Sequence, residues 1–86
     1  MNRIRTIKRT TVEEIRVIDL GPDLTIDVEM LYALCDADGS FDFITILDPA
    51  LRRRLETARH IRTNVKGGSY ATEKLKNIAR EENLNI

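Results

Sequence analysis

The apolar residues of this chain change their spacing halfway along it, and that change bounds the fold. From Leu24 to Met30 apolar and polar residues alternate. Leu24, Ile26, Val28 and Met30 share one face, and Thr25, Asp27 and Glu29 the other. A period of two marks a strand whose one face meets a core. From Leu51 onward the spacing is four, three, three and four, through Leu55, Ala58 and Ile61 to Val65. That is one stripe of an α-helix. Strands first and helices after predict an α+β fold.

The remaining segments are placed around these two patterns. The face that starts at Leu24 continues as Tyr32 and Leu34, while Leu31, Ala33 and Cys35 make the other face apolar too. This predicts one strand running on to Cys35 and covered on both faces at its end. The helix propensity of residues 29–34 points the other way. Asp36-Ala37-Asp38-Gly39-Ser40 is a turn signal, and Phe41 to Leu47 is rich in β-branched and aromatic residues, so the pair reads as a hairpin. Thr11-Val12-Glu13-Glu14 fits a capping box. Val12, Ile15, Val17 and Ile18 nevertheless favour a strand, which Gly21-Pro22-Asp23 turns back onto Leu24.

Asp48-Pro49 supplies an N-cap acid and a proline for the first helical position. The helix that follows is expected over 49–66, closed by Gly67-Gly68. Ser69 is expected to cap a second helix over 69–83, with Ala71, Leu75, Ile78 and Ala79 on one face. The first ten residues are read as a basic arm or an edge strand. The expectation is therefore one domain over residues 1–86. It holds a small antiparallel sheet of three or four strands within 11–47 and two C-terminal helices packed on one face.

Charge is sorted along the chain even though the net charge is zero. Asp19, Asp23, Asp27, Glu29, Asp36, Asp38, Asp42 and Asp48 fall in a stretch without Lys or Arg. Directly after it come Arg52, Arg53, Arg54, Arg59, Arg62 and Lys66 against the single acid Glu56. Arg3, Arg5, Lys8, Arg9 and Arg16 make the N-terminus basic again, beside Glu13 and Glu14. Such sorting sets local potentials and partner choice. At about 100° per residue, Arg52, Arg59 and Lys66 would form a stripe beside the apolar face, with Arg53 and His60 pointing directly away from the core. Arg54 and Arg62 would lay their stems along the core and reach the acidic sheet.

A chain of 86 residues buries roughly 60–65% of the surface its unfolded form exposes. That is enough for one core and too little for a deep cleft with a lid. No stretch is long enough for a membrane span, and no apolar segment follows Met1 to act as a secretory signal. Cys35 is the only cysteine and reads as a small buried hydrophobe in a reducing, cytoplasmic setting. It lies far from His60, the only histidine, and no local signature surrounds either, so no enzyme is read here. Aligning Asp38-Gly39 with a calcium loop puts Leu34 and Thr45 at ligand positions, which excludes that site. No metal or cofactor is assigned. Lys66-Gly67-Gly68-Ser69 ahead of a helix would offer backbone amides to an anion, without P-loop spacing.

The functional expectation is a small non-catalytic interaction protein. It docks onto a macromolecular partner, first of all another protein, as inhibitor, adaptor or subunit. Its contact residues are Arg52, Arg53, Arg59, Arg62 and Lys66, with Asp19, Asp27, Glu29 and Asp42 as an acidic face. Pairing of two copies through opposite charges is a further option. The alternative is nucleic-acid binding through the Arg-rich helix 50–66 and the basic N-terminus. No aromatic residue is interleaved with these cations for a base to stack on.

Overall fold

The computed structural model describes residues 3–10 and 12–86. Met1 and Asn2, expected in the arm, and Thr11, expected at the start of the sheet or in a capping box, lie outside the described residues. Three strands form an antiparallel sheet in the order β1 (Ile4–Lys8), β2 (Glu14–Gly21) and β3 (Leu24–Asp27). The N-terminal segment is thus an edge strand, with Ile4 opposite Ile18 and Lys8 opposite Glu14. Gly21-Pro22-Asp23 turns the chain as expected, with Asp23 in the left-handed region at φ 57°. The register shifts between Asp19 and Gly21, so Leu20 forms a bulge.

The fold is α+β, but it has three helices, not two at the C-terminus. Strand β3 stops at Asp27, and Val28–Asp36 is a helix, α1. Val28, Leu31 and Leu34 are its buried residues, a spacing of three that period two would split between faces. Helix propensity wins here because the same residues bury more apolar surface on a helix lying over the sheet. Asp27 occupies the N-cap position without making a cap bond, because its carboxylate is engaged by Arg9. The expected strand over 41–47 is also absent. Residues 37–47 form a loop whose only ladder contact is the bridge between Ile44 and Ser69. The Asp38 carboxylate organises its turn by accepting from the amides of Ser40, Phe41 and Asp42. Those amides, Ser40 first, hold the Asp38 carboxyl below its ordinary range.

Helix α2 begins as predicted. Asp48 accepts from the amides of Ala50 and Leu51 at 3.0 and 3.4 Å, and Pro49 takes the first helical position. It spans only Pro49–Thr57, however, because Arg59 adopts φ 63° and ends it. The chain then forms a second, two-stranded sheet of β4 (Ile61–Thr63) and β5 (Ser69–Ala71). Gly67-Gly68 therefore turns a hairpin and does not join two helices. Ser69 lies buried in β5, and Thr72 is the N-cap of α3 (Glu73–Glu81). Of the expected stripe, Leu55 is fully buried, Ile61 is buried from β4, and Val65 is wholly exposed at the hairpin tip.

One core draws on all of these elements. Ile18 and Leu20 of β2, Leu24 and Ile26 of β3, and Val28, Leu31 and Leu34 of α1 meet Leu55, Ile61, Ala71, Leu75, Ile78 and Ala79. Helix α1 touches β2, β3, β5 and α3, while α2 touches β3 and β4. Ile4 of β1 and Ile46 of the loop complete the cluster. The placement of α2 between the β2–β3 turn and the β4–β5 hairpin is what shapes the surface described next.

Candidate docking surface

Two of the four acidic-face residues form ion pairs within the protein. Arg5 Nε lies 2.9 Å from the Asp19 carboxylate, and Thr25 donates its hydroxyl to the same carboxylate at 2.6 Å. These bonds, that of Arg5 first, hold the Asp19 carboxyl below its ordinary range, and Asp19 in turn raises the pKa of Arg5. Arg9 reaches Asp27 at 3.2 Å. Strand pairing explains this: Arg5 and Asp27 are the cross-strand neighbours of Val17 on either side. Val17 lies on the face away from the main core, yet it is only 2% exposed. The charged pairs thus lie over an apolar residue, in the way that long side chains cover apolar surface with their stems. Asp19 and Asp27 are each paired with an arginine at the surface, their side chains 40% and 39% exposed. Glu29 and Asp42 stay exposed, on α1 and on the 37–47 loop, and Glu29 lines a depression with Asp27, Glu13 and Glu14 beside Arg9 and Arg16.

The basic set is divided by the early end of α2. Arg52 pairs with Glu56 one turn on, at 3.7 Å. Lys66 is carried to the far tip of the β4–β5 hairpin, where its Nζ sits 5.8 Å from the centre of the Phe41 ring. The expected stripe of Arg52, Arg59 and Lys66 therefore does not exist. The anion site expected at Lys66–Ser69 falls with it: the Gly68 amide donates to the Asn64 side chain, and the Ser69 amide to the carbonyl of Ile44.

Of the expected contact residues, Arg53 lines one surface depression and Arg59 and Arg62 line another, and two cations that the sequence reading did not select join them. Arg53, Arg54 and Lys74 line an open groove of about 780 Å³ between the β2–β3 turn and the C-terminal half of α2. Its apolar wall includes Leu20, Pro22, Leu24, Ala50 and Ala58, and Asp23 is its one carboxylate. A smaller depression of about 560 Å³ is lined by Arg59, Arg62 and again Lys74, beside Glu56 and Glu73. Lys74 thus links the two. Its Nζ donates to the carbonyl of Ala58 at 2.7 Å, where it meets the negative end of α2. Arg54 Nη1 donates to the carbonyl of Asp23 at 3.0 Å, so it does reach back to the sheet, but to backbone and not to an acid. Arg62 points outward from β4 and does not. Arg53 makes no hydrogen bond or ion pair among the described residues.

His60 corrects a further expectation. The helix pattern sets it on the solvent side, but in the chain that follows α2 it is buried, 2% exposed, and lines the groove. Its Nδ1 has no hydrogen-bond partner among the described residues. Burial first, then Lys74 and Arg3, lowers its pKa and favours the neutral imidazole. Cys35 is half-buried, and burial raises its thiol pKa, which leaves little thiolate for nucleophilic chemistry.

Among the described residues no group of His, Cys, Asp and Glu is arranged to hold a metal ion, and no helix is long and apolar enough to cross a membrane. Comparisons with protein-family models, curated proteins and solved structures return no match for this chain. Lys74 and Arg54 were hard to select from sequence for one reason. Their role depends on where α2 ends, and the residue that ends it is an arginine.

Proposed function

We propose that this chain is a non-catalytic interaction protein that docks onto an acidic segment of a partner protein. The surface is the cationic face around the C-terminal end of α2. One observation carries the reading: Lys74 lines both depressions, the one with Arg53 and Arg54 and the one with Arg59 and Arg62. Asp19 and Asp27, which line neither depression, are held by Arg5 and Arg9. Arginine suits this task because its planar fork binds carboxylates in pairs of hydrogen bonds. Inhibitor, adaptor and subunit are three uses of one such surface. A reducing, cytoplasmic setting accords with the single unpaired thiol.

The same cations would attract phosphates, which keeps nucleic acid as the second reading. Two features favour protein. Glu56, Glu73 and Asp23 interrupt the cations, and no Phe, Tyr or Trp lines either depression to stack on a base.

The experiment is a triple reversal, Arg53→Glu, Arg59→Glu and Arg62→Glu. Arg54 and Lys74 are spared because they bond to backbone. Fluorescence anisotropy compares binding of labelled Asp-rich peptides and of a labelled duplex DNA at low salt. Parent binding to the peptides that the reversal abolishes, with an unchanged melting curve, is the expected result. A variant that binds the peptides as the parent does, or a parent that binds only the duplex, removes the protein-docking reading.

A further inference from the structure

The groove has more apolar lining than the depression beside it, exposed at Pro22 and Ala50 and half-buried at Ala58, over the buried Leu20 and Leu24. Leu20 and Leu24 come from the end of the sheet, and Ala50 and Ala58 from α2, and together they border the open volume of about 780 Å³. That volume lies in the range of sites that take a ligand or an anchoring side chain. The two walls are tied in place by the Arg54–Asp23 and Lys74–Ala58 hydrogen bonds. A groove that is already formed spares a ligand the cost of ordering it.

We infer that this groove seats an apolar side chain of the partner polypeptide, with carboxylates on either side of it held by Arg53 and Lys74. The inference rests on the docking reading above and names what the partner must carry. Three cations face a single carboxylate around the opening, so the occupant bears negative charge. A purely anionic strand such as a nucleic-acid backbone would leave the apolar wall wet, and a purely apolar segment would leave Arg53 unpaired. The buried imidazole of His60 also lines the groove, and its Nδ1 has no partner among the described residues. Interfaces commonly concentrate their binding energy in such an arrangement, one anchor in a pocket within a polar rim.

The test uses the full chain and two pools of short labelled peptides. Both are Asp-rich; one has Leu or Phe at its centre and the other Ser. Burying the apolar side chain predicts that the first pool binds at least about tenfold more tightly. Ala50→Trp and Thr57→Trp, at exposed positions lining the groove, fill it without changing charge. Each is expected to remove that advantage, with the melting curve as the check on folding. Amide shifts of Leu20, Ala58 and His60 on titration of the first pool place the peptide. Equal binding of the two pools, or a full advantage in the filled variants, overturns the groove inference and leaves the docking reading standing. If the triple reversal leaves Ser-pool binding intact, the docking reading itself falls. Failure of both pools to bind overturns both.

Discussion

The amide of His60 donates to the carbonyl of Leu55 at 2.9 Å, and this bond closes α2. The Arg59 amide donates to Glu56 at 3.0 Å alongside it, with Ala58 as the C-cap. Together these are the two bonds of a Schellman motif, and they require a left-handed residue between them. Arg59 fills that position at φ 63°. The motif turns the chain so that His60 and Ile61 enter the core and Arg59 and Arg62 face outward. The same motif recurs at the end of α3, where Leu84 donates to Ala79 and Asn83 to Arg80.

Arg59 therefore holds its conformation at a cost. An ordinary residue in the left-handed region loses about 1–2 kcal/mol. Glycine avoids that loss, but gives part of it back through the greater freedom of its unfolded chain. Arg59→Gly is expected to stabilise the protein by about 0.5–1 kcal/mol, read as a raised urea midpoint at unchanged slope. Arg59→Val, which the left-handed region accepts poorly, is expected to lower the midpoint.

Gly68 is needed for space. A Cβ there would overlap the ring of Phe43, which packs across the β4–β5 turn. Gly68→Ala is expected to cost about 1–3 kcal/mol, seen as a lower thermal midpoint. Gly21→Ala is the internal control. Nothing lies within 4 Å of a Cβ at Gly21, and its φ is not left-handed. Its expected effect stays within about 0.5 kcal/mol.

His60 makes stability depend on pH near neutrality. Its folded pKa is lowered by burial, by Lys74 and by Arg3. Between the folded value and the unfolded value of about 6.5, the unfolded chain binds the extra proton. Stability is therefore complete above that unfolded value and falls as pH drops through it, by at most about 1.4 kcal/mol per pH unit. Urea midpoints measured from pH 8 to pH 5 are expected to decline, and His60→Gln to flatten the decline. Asp19 and Asp38, whose carboxyls are held below their ordinary range, act in a separate and more acidic window. They contribute stability that is lost only as pH falls below the usual carboxylate range.

Local signals carried a good part of the structure. The turn at Gly21-Pro22-Asp23, the strand before it, the Asp48-Pro49 helix start and the buried set Leu75, Ile78 and Ala79 were all legible. Each depends on neighbours within a few residues. One reading failed where one pattern admitted two periods. Val28, Leu31 and Leu34 fit a helix, and Val28, Met30 and Leu34 fit a strand. Only burial against the sheet chose between them. The segment after Thr57 failed differently, since its spacing is helical and its stop signal is an arginine, with no glycine until Gly67.

The proposed cationic face keeps Arg53, Arg59 and Arg62 from the sequence reading, leaves out Arg52 and Lys66, and adds Arg54 and Lys74. Sequence by itself determined that the chain mixes strands and helices around an aliphatic core, and that its charges come in blocks, because spacing and composition are local properties. The tertiary structure alone decided which charges meet. Cross-strand register brought Arg5 to Asp19 and Arg9 toward Asp27, and a single left-handed residue set the arginines of α2 and β4 beside Lys74. Distances between residues far apart in the chain follow from packing, and no periodicity records them.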